Sequence, residues 1–143
     1  MWATRQLILH GGIILLMGLL SGIPFGRAIV HGKPEATVRG WRVAHSGITM
    51  GGVLLLALSS VVPHLELSLW ARALLVWAFI GSSYGFTVAL PLGAHYGHRG
   101  LTPGPPFWNR IVYLGNIIGA FGSLVGTLIL LWGAFAALYG STA

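Results

Sequence analysis

WRVAHSGITMGGVLLLALSSVV (residues 41–62) is long and apolar enough to cross a lipid bilayer as a helix. A hydrocarbon core of about 30 Å needs about 20 predominantly apolar helical residues. Three other stretches meet this condition, at about residues 7–27, 69–91 and 110–139. Backbone polar groups in lipid must be paired within the segment, and these runs lack the alternation of barrel strands. We therefore predict an all-α fold, a four-helix bundle embedded in a membrane.

The composition of the chain favours the same class. Its 143 residues are 55% hydrophobic and 7% charged, whereas soluble domains carry about 25% charged residues. The length predicts a single transmembrane domain over residues 1–143. The first apolar run is as long as a spanning helix and lacks a small-x-small cleavage site, so we predict a retained span rather than a signal peptide.

Several classes of site are excluded by residues that the chain lacks. It has no cysteine, which excludes disulfides, iron–sulfur clusters and thiolate metal sites. It has no aspartate, and its two carboxylates, Glu35 and Glu66, lie in predicted loops. A Ser–His–Asp triad and catalysis by paired membrane-embedded carboxylates are therefore not expected. The net charge is +6, but the basic residues are only eight, so we expect no nucleic-acid partner; in a membrane chain they are expected to mark loops and lipid head groups.

The basic residues predict an orientation in the membrane. Six of the eight flank the two long loops: Arg27, Lys33, Arg39, Arg42, Arg99 and Arg110. Arg5 and Arg72 lie on the other side. By the positive-inside rule, the long loops face the cytoplasm and both termini lie outside, as in a bacterial inner-membrane protein.

Glycine is abundant, with 22 residues, and "GSLVG" (residues 122–126) is a pair of small residues four apart. Such pairs let helices approach closely in membranes. The stripe has two interpretations at this stage. It is a packing face within one bundle, or it forms a subunit interface with room for a flat cofactor.

Four of the six histidines lie in predicted loops. His31 is in the first polar loop and His64 in a short outer turn, and both are expected to be solvated. His95 and His98 lie three residues apart in a Gly/Pro-rich loop. This pair is either solvated or part of a metal site.

His10 and His45 are different, because each lies about one turn inside a predicted span. The two spans are entered from opposite sides of the membrane, which separates these histidines by about 18 Å in depth. We therefore predict that they do not ligate one iron within one chain. Ionisable residues inside a membrane segment are by default candidates for function.

His45 has two interpretations. It is an interfacial histidine at the end of the bundle, or it is an axial ligand to haem iron, a role that imidazole commonly fills. Arg39, Trp41 and Arg42 lie about one turn away at head-group level, where haem propionates would meet cations.

The residues after His45 fit the second interpretation. His45, Thr49 and Gly52 share a helix face by their spacing. Gly51 and Gly52 are expected to leave a flat surface without side chains, against which a porphyrin could lie. These features suggest a haem site without specifying one.

Three stretches resemble the styrene oxide isomerase family. They are "LHGGIILLMGLL" (residues 9–20), "GWRVAHSG" (residues 40–47) and "HRGLTPGP" (residues 98–105), which keep the order and spacing of that family's motifs. The resemblance implies a membrane homotrimer that seats ferric haem b between neighbouring subunits, with His45 as the axial ligand. From their position at the inner surface, we predict that Arg39, Arg42 and Arg99 bind the haem propionates through charge-assisted bonds, the alternative being that they act only as positive-inside signals.

The resemblance also implies a reaction. The family converts aryl epoxides to aldehydes without net redox change, with the iron acting as a Lewis acid on the epoxide oxygen. A 1,2-hydride shift then yields the carbonyl. The expected substrate of this chain is accordingly a small apolar epoxide.

The chain departs from the family at three polar positions. Gly51 replaces an asparagine, Leu90 a tyrosine and Ser82 a carboxylate. We predict that Thr49, Tyr84 and Asn116 supply polar contacts instead. The remaining residues predicted to line the substrate pocket are Ser83 and Phe86. These departures predict a substrate other than styrene oxide.

Two rival functions remain open on the sequence. One is a membrane haem protein without isomerase activity, used in electron transfer, gas sensing or haem handling. The other is a small transporter or scaffold without a cofactor.

Overall fold

The computed structural model describes residues 1–140, and their regular structure is helical throughout. It comprises α1 (Trp2–Leu20), α2 (Gly22–Val30), α3 (Glu35–Val61), a 3₁₀ turn (Val62–His64), α4 (Leu69–Tyr96) and α5 (Phe107–Gly140). Four segments are long and apolar enough to cross a membrane: Trp2–Val30, Glu35–His64, Leu69–Tyr96 and Phe107–Gly140. The predicted all-α bundle of four long apolar helices is thereby confirmed.

The helices are longer than the predicted spans, and the loops are correspondingly shorter. Only residues 31–34 separate α2 from α3, although a polar loop was expected from Arg27 to Gly40. Pro34 precedes the first helical residue, and the carboxylate of Glu35 lies in the first turn, where the helix dipole favours negative charge. Hydropathy locates the lipid-embedded part of a helix, whereas the helix itself continues into the head-group layer.

The first span is interrupted near its end. α1 ends at Leu20 and α2 begins at Gly22, with Ser21 between them. Pro24 has no amide hydrogen, so the carbonyl of Leu20 loses its helical donor, and proline is a common cause of such breaks. The interruption lies directly beside the residues that form the candidate site.

α3 is the central helix of the bundle. α1 packs along one side of it and α4 along another, while α5 packs mainly on α4. The largest fully buried side chains come from α1, α3, α4 and α5 and the turn after α3: Leu7, Ile14, Ile48, Leu55, Val62, Leu75, Val76 and Val112. α3 therefore has two distinct surfaces within the bundle, one toward α1 and one toward α4.

The glycine stripe of α5 packs on α4 within the chain. A Cβ at Gly122 would lie 2.8 Å from the carbonyl oxygen of Ala78, and one at Gly126 would lie 2.8 Å from the ring of Phe79. No side chain fits at these distances. The stripe is thus a packing face of one bundle, which is the first of its two interpretations.

Candidate functional site on the two sides of α3

The imidazole of His45 is held in a defined orientation. Its Nδ1 lies 2.8 Å from the carbonyl oxygen of Gly18, and because a carbonyl only accepts, Nδ1–H donates. Within residues 1–140 this is the one hydrogen bond of the His45 ring, so no protein group occupies the lone pair of Nε2. Metal-ligating histidines typically have one nitrogen anchored in this way. The half-buried ring is therefore oriented so that Nε2 can bind a metal ion.

The helix break shapes the surroundings of this histidine. Ser21 donates its hydroxyl to the same carbonyl of Gly18 at 2.6 Å. The ring of Phe25 stacks on the imidazole, with centroids 6.1 Å apart and planes 23° apart. The guanidinium of Arg42 lies 5.9 Å from the centre of the Phe25 ring, a cation–π distance. Ser21 and Phe25 were not predicted as site residues, although Pro24 in the sequence indicates the helix break beside which they lie.

Gly18 lets α1 and α3 come close enough for this hydrogen bond. A Cβ at Gly18 would lie 2.5 Å from the backbone nitrogen of Thr49 and 2.6 Å from its hydroxyl. The Thr49 hydroxyl is buried and has no hydrogen-bond partner in the described chain. Thr49 therefore faces α1 beside His45, with its polar atom still unsatisfied.

The glycine surface predicted beside His45 is filled by the protein itself. A Cβ at Gly52 would lie 2.5 Å from the backbone nitrogen of Leu15, so α1 covers this residue. Gly51 is half-buried, and a Cβ added there would have only ordinary contacts, 3.8 Å from Ile14 and from the Ser83 hydroxyl. Within one chain α1 therefore covers the face expected to be open at Gly52, whereas Gly51 is not closely packed.

His10 belongs to a separate cluster. Its Nδ1 lies 2.9 Å from the hydroxyl of Tyr84, and its ring makes an edge contact with Trp77. Since His45 contacts Gly18, eight residues along α1, the two histidines are separated by about 12 Å along the helix axis. This agrees with the prediction that they do not share an iron within one chain. The hydroxyl of Tyr84 is thus hydrogen-bonded to His10.

A groove of about 480 Å³ lies on the other side of α3, a volume in the range of small-molecule sites. α4 and the chain after it contribute Leu90, Gly93 and Arg99, and α5 contributes Val112 and Asn116. The walls are mainly apolar, and cationic or polar side chains occur at one end.

Most of the residues that α3 gives to the groove lie away from His45. They are Ala36, Arg39, Gly40 and Val43, and Thr37, about 80° around the helix from His45, also borders the groove. At about 100° per residue, Ala36, Gly40 and Val43 lie roughly 160–220° around the helix from His45. One chain therefore presents its histidine on one side of α3 and its groove on the other.

The predicted cation cluster is divided between these two sides. Arg39 and Arg99 line the groove, whereas Arg42 covers Phe25 next to His45. Asn116 also lines the groove, and its side-chain amide donates to the carbonyl oxygens of Arg99 at 3.0 Å and Gly100 at 3.3 Å. Asn116 thereby fixes the loop that carries Arg99.

The predicted pocket residues in the middle of α4 are used for helix packing. Ser82 donates its hydroxyl to the Gly119 carbonyl at 2.6 Å, and Ser83 donates to that of Phe79 at 2.9 Å. The ring of Phe86 fills the space in front of Gly119. Among the predicted pocket residues, Leu90 lines the groove.

The loop histidines border different cavities. His95 lies in the last turn of α4 and borders a second cavity, whereas His98 lies after the helix and borders the groove. Within the described part of the chain, no three histidine or carboxylate side chains are grouped as metal ligands. The sequence did not predict that His98 would border the groove.

Comparison with known proteins identifies the family of the chain. The family model of styrene oxide isomerase matches residues 3–135 of the 143. No curated protein matches the chain. The matched region covers α1 to α4 and most of α5, including His45 and every residue of the groove, so the chain belongs to the styrene oxide isomerase family, a family of epoxide isomerases.

Proposed function

We propose that this protein is a haem b-dependent membrane isomerase that converts an apolar epoxide to a carbonyl compound. The observation that carries the proposal is the orientation of His45, whose Nδ1–H is bound to Gly18 and whose Nε2 is left free. Ferric haem, when bound, supplies a Lewis-acid iron for the epoxide oxygen. His45 would hold the iron, and the neutral tautomer required for this is the one that the Gly18 carbonyl selects.

We propose further that one site is built from two copies of the chain, within a homotrimer. His45 and the groove lie on opposite sides of α3, so they do not face one small molecule within one chain. In a cyclic assembly, one subunit presents its His45 side to the groove side of the next. The groove of the second copy would then receive the cofactor and the substrate, and its Arg39 and Arg99 would bind the propionates.

The groove would bind and orient the epoxide while excluding water. Its walls are apolar at Val43, Leu90 and Val112, so it suits an apolar substrate. Of the three polar residues proposed for substrate contact, Asn116 lines the groove, while Thr49 and Tyr84 face α1. The amide nitrogen of Asn116 donates to the carbonyl of Arg99, so the amide oxygen remains able to accept a hydrogen bond.

A haem protein without isomerase activity is the second candidate. It is favoured by Leu90, which lines the groove and offers no hydrogen-bond donor where the family pattern has a tyrosine. An absorbance spectrum with dithionite and carbon monoxide, together with carbonyl assays on aryl and alkyl epoxides, separates the two. Isomer formation supports the first candidate. Reversible reduction at a physiological potential without any isomerisation supports the second.

The two-copy site is tested by complementation. One chain carries His45→Ala, and the other carries Leu90→Trp to fill the groove; each alone should purify without haem. Coexpressed in equal amounts, they should recover haem in about one quarter of the interfaces, those with an intact histidine facing an intact groove. No recovery, with mixed assemblies present, would show that both halves must come from one chain.

A further inference from the structure

A cavity of about 430 Å³ lies where α2, the start of α3 and the end of α4 meet. Four side chains that can carry positive charge line it: Arg27, His31, Lys33 and His95. Neither of the two carboxylates of the chain does. Like charges brought together without a counter-ion repel one another, so this arrangement favours an anionic ligand.

Three of the four side chains, those of Arg27, His31 and Lys33, lie in the last turn of α2 or in the tightly bonded turn that follows it. The backbone nitrogen of Lys33 donates to the carbonyl of Ala28 at 3.0 Å, and Gly32 donates to that of Ile29 at 3.1 Å. Gly32 has a φ of 57°, the left-handed conformation that commonly ends helices in this bonding pattern. The position of Lys33 relative to Arg27 is therefore set by the backbone.

The cavity also contains uncharged donors and an apolar floor. Trp41 and Thr37 border it, and their indole N–H and hydroxyl are available, because neither has a hydrogen-bond partner within residues 1–140. Pro24, Ala28 and Ala94 supply the apolar part. Such a mixture suits a compact anion with several acceptor oxygens.

The outer surface of α2 is apolar beside this cavity. Ile23, Ile29 and Val30 are 53%, 54% and 83% exposed, although they belong to the same short helix as Arg27. In a membrane these side chains would contact acyl chains. Basic pockets between membrane helices are known to receive the head groups of anionic lipids.

We propose that this cavity is a binding site for a phosphate-bearing anion, the head group of an acidic phospholipid or a free phosphate. Arg27 and Lys33 would bind the phosphate oxygens, and Trp41 and Thr37 would donate to the ester or glycerol oxygens. The cavity differs from the groove in that Leu90, Arg39 and Arg99 do not line it. The cavity and the groove are neighbours that share Thr37 and Ala94, but the basic residues of the cavity, Arg27 and Lys33, do not line the groove.

The test is native mass spectrometry of the purified full-length protein with phosphatidylglycerol, phosphatidylcholine and inorganic phosphate. Wild-type protein should retain phosphatidylglycerol over phosphatidylcholine. Arg27→Gln with Lys33→Gln should weaken this binding about thirtyfold, since each basic residue near an anionic surface contributes roughly fivefold. Arg5→Gln with Arg110→Gln removes the same charge outside the cavity and should leave binding unchanged.

Each of the remaining outcomes either supports or overturns an anion site in this cavity. If phosphate binds with the same dependence on Arg27 and Lys33 and the lipid does not, the source of the anion is soluble and the site stands. Equal retention of both lipids with no phosphate binding, or equal weakening in the control pair, would overturn it. Loss of haem from the Arg27 and Lys33 variant with unchanged lipid binding would assign the cavity to haem carboxylates instead.

Discussion

The two sides of α3 are built on different principles. On the side of α1 the helices touch through glycine, and polar groups meet at fixed hydrogen-bond distances, as between His45 and the Gly18 carbonyl at 2.8 Å. On the other side, the start of α3, the end of α4 with the chain after it, and the start of α5 leave a groove of about 480 Å³ between them. The close contact orients a candidate ligating side chain, whereas the groove provides room for a molecule.

The largest effect is expected from removing the side chain on the tightly packed side. His45→Ala should abolish haem retention, because the proposed ligand to the iron is lost. His10→Ala is the matched control and should leave the Soret band largely unchanged, since His10 is bonded to Tyr84. Normal haem content in the purified His45→Ala protein would refute the assignment.

A change in rate is expected from restoring two polar side chains, one at Leu90 in the groove and one at Gly51 between α1 and α4. Gly51→Asn with Leu90→Tyr should raise styrene oxide turnover, because a hydrogen bond to a developing oxyanion typically contributes about 10²–10³ in rate. A side chain can begin at Gly51, where a Cβ would meet atoms no closer than 3.8 Å. The measurement is the initial rate of phenylacetaldehyde formation at equal haem content. Brisk turnover by the wild-type protein would show that these two positions are not the active ones.

A smaller effect separates the two groups of arginines. Arg39→Gln with Arg99→Gln should weaken haem binding about tenfold, because exposed charge-assisted contacts are individually modest. Arg42→Gln should weaken it less, since that guanidinium lies over Phe25. Haem titration of the apoprotein, with topology checked by cysteine labelling of inserted sites, measures the difference. Unchanged affinity in the correctly inserted double variant would leave these residues with a topological role only.

The smallest expected effect concerns stability. Gly18→Ala should lower the free energy of unfolding by about 1–3 kcal/mol, because the new methyl group overpacks the contact with Thr49. Gly12→Ala on the same helix meets nothing within 4 Å and should be neutral or slightly stabilising. Thermal unfolding in detergent measures both. Equal melting temperatures for the two variants would mean that α1 and α3 are not held at the described distance.

The prediction of the fold from sequence succeeded because hydropathy is a local property. Spans of about 20 apolar residues were sufficient to place all four long helices. Helix rise predicted that His10 and His45 lie at different depths, although their separation along α1 is about 12 Å rather than about 18 Å. The helix ends were missed by several residues, as at Glu35, because polar residues continue the helix beyond the apolar run, and hydropathy marks only that run.

Tertiary structure decided which predicted residues act together. The sequence determined that His45 lies in a membrane helix beside arginines, and it determined the family resemblance through motifs that keep their spacing. It could not determine that Gly52 and Thr49 would be covered by α1, that Ser82 would bind a backbone carbonyl, or that Arg39 and Arg42 would lie on different sides of α3. Spacing along a helix gives the angle between two side chains, but only the positions of the neighbouring helices decide whether a given angle points into packed protein, a groove or lipid.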